Sequence, residues 1–144
     1  MLAIGSDHGG YQLKEILKDY FEENKIPYRD MGCNDTASVD YPVYGRAVAE
    51  AVAEGICDKG IVICTTGIGI SMVANKVPGV RCALCSDTLS ARMTRLHNDA
   101  NVLALGGGIL GPNLALDIVE TFLNTPFSGE EKHRRRIDMM EGGK

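Results

Sequence analysis

The chain has no run of apolar residues near the roughly 20 that a bilayer span requires. Its opening, MLAIGSDHGG, lacks a charged stretch leading into an apolar secretory segment. Both absences predict a cytoplasmic protein with no membrane partner. Nor is there an excess of positive charge: the net charge is −4 at neutral pH, which argues against a nucleic-acid partner. The five cysteines are an odd number and do not suggest a disulfide framework, so a reducing compartment is expected. One C-x-x-C exists, Cys82 to Cys85, with no second pair, and the histidines stand far apart at positions 8, 97 and 133. Strand residues three apart point to opposite faces, so Cys82 and Cys85 are expected to be buried core thiols and no metal site is expected. No G-K-[ST] follows the glycine-rich turn, and its G-x-G lacks the third glycine of a dinucleotide fingerprint. Internal repeats, linkers and low-complexity segments are also missing.

What remains is a chain of 144 residues, 44% hydrophobic and 24% charged, the composition of one soluble domain spanning residues 1–144. Short apolar runs alternate with amphipathic stretches. Strands are expected at 2–6, weakly at 28–32, and at 60–64, 80–85 and 101–106. Between them, 11–24 reads as a helix with Leu13, Ile16, Leu17 and Tyr20 on one face. A second helix, 41–55, is opened by Pro42 and closed by Gly55. Others follow at 68–75, from a cap at Ser86 or Asp87 through Arg95, and at 113–124, with one more in the charged tail. Five strands alternating with helices predict an α/β fold: a parallel sheet covered on both faces.

Ligands of such sheets sit beyond the carboxyl ends of the strands, which selects SDHGG, CTTGIG, CSDT and GGG. In CTTGIG, Gly67 and Gly69 permit a tight turn, and the following helix directs free N–H groups toward Cys64. That nest suits a phosphate or a developing oxyanion, and an electropositive setting suits Cys64 as base or nucleophile. The plainer reading is a buried cysteine at a strand end, with Thr65 and Thr66 as caps. Asp7 either caps the first helix or, with His8, grips a polar ligand. His97 and Asn98 precede the last strand, and with Cys64 and Asp7 the histidine makes a credible acid–base set. The tail KHRRR is either a solvated face or an anion contact through Lys132, Arg134, Arg135 and Arg136.

Together SDHGG, VDYPVYG, GIVICTTGIGISMVANKVPGVR and HNDANVLALGGG, in this order and spacing, resemble the ribose-5-phosphate isomerase B family, in the ribose/galactose isomerase superfamily. The resemblance implies a Rossmann-like three-layer α/β/α sandwich with a five-stranded parallel sheet and a C-terminal helical tail. It implies a homodimer with a composite active site, or a tetramer, and aldose–ketose isomerisation of a sugar phosphate without metal or cofactor. By the same resemblance Cys64 is the base moving a proton between C1 and C2, and Thr66 and His97 assist ring opening, His97 from the partner subunit. Asp7 and His8 bind substrate, Thr65, Thr66, Gly67, Ile68 and Gly69 hold the enediolate, and Tyr41 and Asn98 line the site. Ile70 stands where some relatives carry a glutamate base. Three positions depart from the family pattern. Thr65 replaces a usual glycine, Gly108 an arginine that often meets phosphate, and Lys132 a tail arginine, while Arg136 matches the second tail arginine. Ribose 5-phosphate and ribulose 5-phosphate are the expected substrates. Another sugar phosphate, a tetrose or a hexose such as allose or galactose 6-phosphate, and a non-catalytic sugar-phosphate-binding module are the alternatives.

Overall fold

The computed structural model describes residues 1–143. Five strands, β1 (Leu2–Ser6), β2 (Tyr28–Asp30), β3 (Lys59–Cys64), β4 (Cys82–Leu84) and β5 (Val102–Gly106), form one sheet in the order β2-β1-β3-β5-β4. All four pairings are parallel. Six helices accompany them: α1 (Tyr11–Glu23), α2 (Tyr41–Ala53), α3 (Ile68–Ala74), α4 (Thr88–Asn98), α5 (Pro112–Asn124) and α6 (Glu131–Met140). The three-layer α/β/α arrangement and the helical tail are those expected from the sequence.

Strands β1, β3 and β5 are continuously apolar because helices cover both of their faces. Alternation sorts their side chains into two cores. Leu2, Ile4, Ile61, Ile63, Leu103 and Leu105 pack against α1 and α5. Ala3, Val62, Cys64, Val102 and Ala104 face α2 and α3. The second set is smaller in volume, and α2 lies close to the sheet: a Cβ added at Gly60 would stand 2.6 Å from Val48 Cγ1.

Terminators read from the sequence are in place. Pro42 sits in the first turn of α2, and Gly55 follows its end with φ +77°. Asp87 caps α4, its Oδ1 accepting the Ser90 N–H at 2.6 Å.

The buried face of α1 differs from the expected one. Ile16 is 36% exposed and Tyr20 only half-buried, whereas Leu13, Leu17, Phe21 and Lys14 are buried. The helix is turned so that the Leu13–Leu17–Phe21 ridge meets the sheet. This brings Lys14, 0% exposed, against β2, where Nζ donates to both Asp30 oxygens at 2.8 and 2.7 Å. Lys18 adds a third bond at 2.8 Å and the Gly32 N–H a fourth at 2.9 Å. Burial would raise the Asp30 carboxyl, but these partners outweigh it and hold the group below its ordinary value.

The β4 strand is shorter than expected because it is the sheet edge and pairs only with β5. For the same reason Cys82 is half-buried rather than a core thiol, while Cys85 is buried as expected. Burial pushes both thiols up, Cys85 to about 11.

Candidate active site

The order β2-β1-β3 means the chain leaves β1 in one direction for β2 and returns on its other side for β3. The carboxyl ends of β1 and β3 therefore flank a crevice. Ser6 pairs with Ile63, and Cys64 with Gly106, so the residues just beyond each strand share one edge. Backbone bonds stitch that edge together: Asp7 N–H to Ile63 O at 3.2 Å, Gly107 N–H to Cys64 O at 2.8 Å, and Gly108 N–H to Thr65 O at 2.8 Å.

Cys64 ends β3 and is 6% exposed. Gly67 adopts φ +79° and turns its N–H back onto Cys64 Sγ at 3.2 Å. No side chain fits there, because a Cβ at Gly67 would lie 2.6 Å from Leu84 Cδ1 and 2.8 Å from the Leu105 carbonyl carbon. An amide hydrogen aimed at sulfur is a stronger partner for a thiolate than for a thiol. Thr66 Oγ1 accepts the Ile68 N–H at 3.2 Å, capping the first turn of α3. Thr65 lies against Gly9 and Gly108; a Cβ at Gly108 would be 3.0 Å from Thr65 Cγ2. The Tyr41 ring closes over Gly69, 2.8 Å from where a Cβ would stand.

Asp7 is buried, and its Oδ1 accepts the Gly10 N–H at 3.1 Å, so it does organise the turn into α1. His8 Nδ1 accepts the Val39 N–H at 3.1 Å. In the neutral ring this fixes the hydrogen on Nε2, as a donor. The loop supplying Val39 begins at the Asp30 carboxylate that Lys14 and Lys18 hold. Sequence reasoning missed that support, since a backbone amide carries no residue signature.

The remaining expected residues lie elsewhere. Helix α4 starts after β4 and ends before β5, which sets His97 and Asn98 at the amino-terminal end of the sheet, opposite Cys64. Helix α6 packs on α4 and brings Lys132 and Arg136 to the same end. Asn98 Oδ1 accepts from Thr94 Oγ1 at 3.1 Å. Lys132 is 3.6 Å from Glu130, Arg135 is 2.9 Å from Glu131, and Arg136 has no ion-pair partner among the described residues. A cavity of about 560 Å³ at this end is lined by Arg81, Asn98 and Glu141 among others. One chain therefore does not assemble His97 with Cys64 and Asp7. It places the candidate residues in two groups: Asp7, His8, Tyr41 and residues 64–69 at one end, and His97, Asn98, Lys132 and Arg136 at the other.

A buried thiol at a strand end, with an amide aimed at its sulfur and an aspartate and a histidine on the same edge, is an arrangement that can move a proton on a small polar substrate. Comparison with known proteins makes this class specific. The family model described as Ribose/Galactose Isomerase matches residues 2–140. Ribose-5-phosphate isomerase B of Escherichia coli is 42% identical over 137 residues, covering 95% of this chain and 91% of its own. A D-erythrulose-4-phosphate isomerase of Pectobacterium atrosepticum is 39% identical over 129 residues, covering 89% and 85%. The solved structure of Clostridium thermocellum ribose-5-phosphate isomerase B superimposes with a TM-score of 0.95 at 51% identity, covering 97% of this chain and 94% of that one. The chain belongs to the ribose/galactose isomerase family, and it is a sugar-phosphate isomerase of the ribose-5-phosphate isomerase B type.

Proposed function

We propose that this protein interconverts ribose 5-phosphate and ribulose 5-phosphate through an enediolate, as one catalytic domain in a reducing cytoplasm. The observation that carries the reading is the Gly67 N–H directed at Cys64 Sγ, beside Asp7 and His8 at the carboxyl edge of the sheet. The names of the relatives from E. coli and C. thermocellum support the pentose substrate. Five free thiols suit the compartment.

In this reading Cys64, as thiolate, takes the C2 proton of the open aldose. The hydroxyl proton shifts from O2 to O1, and Cys64 returns a proton to C1. The negative charge that develops on oxygen is met by amides of the 65–69 turn. Asp7 and the His8 Nε2–H hold the substrate, His8 toward the phosphate, and Tyr41 closes the pocket wall. Ring opening precedes this. The anomeric hydroxyl gives up its proton, the C1–ring-oxygen bond breaks, and the ring oxygen gains a proton, with Thr66 and His97 assisting. His97, Asn98, Lys132 and Arg136 come from a second copy, because each chain holds its half-sites at opposite ends of the sheet. A symmetric dimer then completes two sites, and a tetramer would be two such pairs.

Two experiments test the proposal. Exchange of substrate C–H for deuterium in heavy water, across tetrose, pentose and hexose phosphates, should be fastest with the pentose pair. A faster tetrose or hexose phosphate would reassign the substrate, and no exchange with any would leave only a binding module. Mixing Cys64→Ala with His97→Asn subunits should restore roughly a quarter of native activity, since half of the random dimers keep one native site. No rescue after demonstrated subunit exchange would refute the shared site.

A further inference from the structure

His97 is not alone in its half-site. Helix α6 lies across the last turn of α4 and sets the His133 ring on the His97 ring, with centroids 4.2 Å apart and planes 17° from parallel. His133 is 7% exposed and His97 half-buried. His133 sits in a run otherwise made of charged side chains, and of these Glu130 approaches its ring, with Oε2 3.6 Å from Nε2. In the sequence this residue is one letter of a charge run. Its spacing from half-buried Ile137, four residues on, marks the face that α6 turns inward.

Two imidazolium rings at 4.2 Å would repel strongly. Burial pushes His133 below its ordinary value; His97, Lys132 and Arg136 push the same way, against Glu130. A neutral aromatic face beneath an imidazolium attracts it, and this attraction is greatest when His97 is charged. The stack thus holds the plane of His97 most firmly at the stage when an acid–base histidine carries its extra proton.

We infer that His133 is a positioning residue for ring opening, its flat ring fixing the orientation in which His97 reaches the sugar bound by a second copy. The inference rests on the ring-opening role of His97 given above. A ring displaced by as little as about 1 Å can lose roughly a hundredfold in rate, so orientation alone is enough to matter.

The test compares His133→Leu and His133→Asn, which remove the aromatic face, with His133→Phe, which keeps it. Each variant is measured as the intact assembly, first for thermal melting and oligomeric state. Two rates are then read: turnover of ribose 5-phosphate, which cyclises, and deuterium exchange into ribulose 5-phosphate, which stays open. His97→Asn is the reference and should lose about a hundredfold or more in the first rate only. Either non-aromatic variant that folds should lose about tenfold to a hundredfold in turnover with exchange unchanged. His133→Phe should recover most of that loss. If His97→Asn reduces both rates equally, the ring-opening reading fails and takes this inference with it. If His97→Asn is selective but both non-aromatic variants match the native enzyme, the inference alone is refuted. It is likewise refuted if His133→Phe is as impaired as they are.

Discussion

Replacing Lys14 with methionine tests the least expected feature of the fold. The ammonium is fully buried, and both of its bonds go to Asp30, at 2.7 and 2.8 Å. Stranding a buried charge costs about 3–5 kcal/mol, but Asp30 would not be stranded. Its carboxylate keeps Lys18 at 2.8 Å and the Gly32 N–H at 2.9 Å, and its side chain is 22% exposed. The loss is therefore that of charge-assisted hydrogen bonds, about 1.5–3 kcal/mol, with the methionine filling the slot left by the lysine stem. At about 4 °C per kcal/mol for a chain of this length, Tm should fall by roughly 6–12 °C. The pH dependence follows from Asp30, whose carboxyl is held below its ordinary value by its partners despite burial. A depressed folded-state value contributes stability that is present above the unfolded value, about 3.9, and lost as pH falls through the folded one. Lys14→Met removes part of that depression, so the gap between native and variant should narrow as pH falls below about 4. Denaturant unfolding at several pH values, run as a cycle with Asp30→Asn, measures it. A coupling below about 0.5 kcal/mol, or a gap that does not change with pH, would show that the Lys14–Asp30 pair does not stabilise the fold in this way. Because the same carboxylate anchors the loop that reaches His8 through Val39, the variant should also bind substrate more weakly.

Two further substitutions bear on the site itself. Gly67→Ala forces a Cβ onto a positive φ and against Leu84 and Leu105. It should cost about 1–3 kcal/mol of stability and lower kcat more than substrate affinity; an unaffected kcat would remove the Gly67 amide from the mechanism. Gly108→Arg should gain more phosphate affinity when Thr65 is also replaced by glycine, because the new Cβ meets both Thr65 Cγ2 and the Thr65 carbonyl oxygen at 3.0 Å and the second change removes the first of these contacts. A charge-assisted hydrogen bond contributes about 1.5–3 kcal/mol, or tenfold to a hundredfold in affinity. An equal gain without the Thr65 change would show that the threonine does not obstruct that position.

The layers of this fold were readable because β1, β3 and β5 are short apolar runs and because Pro42, Gly55 and Asp87 end or begin helices by local chemistry. The Cys64–Gly67 turn was readable for the same reason, since strand, glycine and helix follow one another in the chain. What depends on packing was not. Helical spacing admits both the Leu13–Ile16–Leu17–Tyr20 face and the Leu13–Leu17–Phe21 ridge, and the carboxylate of half-buried Asp30 is what lets Lys14 go inside. Free cysteines are commonly buried, which predicts a core thiol at Cys82 as at Cys85, but β4 is an edge strand and leaves Cys82 half-buried. His97, Asn98, Lys132 and Arg136 are legible from the residues as types but not as a location; for His97, only the family resemblance implied a place away from its own Cys64. Their place, opposite Cys64, follows from the direction in which α4 crosses the sheet. His133 escaped because its neutral ring is hidden in a run of charge.

In the proposed mechanism Cys64 carries the proton between C1 and C2. Cys64→Ala trims one small side chain at the edge of the α2–α3 core, so the fold should survive, and the variant can be compared with the native protein by deuterium exchange into ribulose 5-phosphate. Exchange needs no ring opening and reports the base alone. Exchange should fall by about a hundredfold to ten-thousandfold, with substrate affinity nearly unchanged. Exchange close to the native rate would contradict that role and move the base elsewhere in the site.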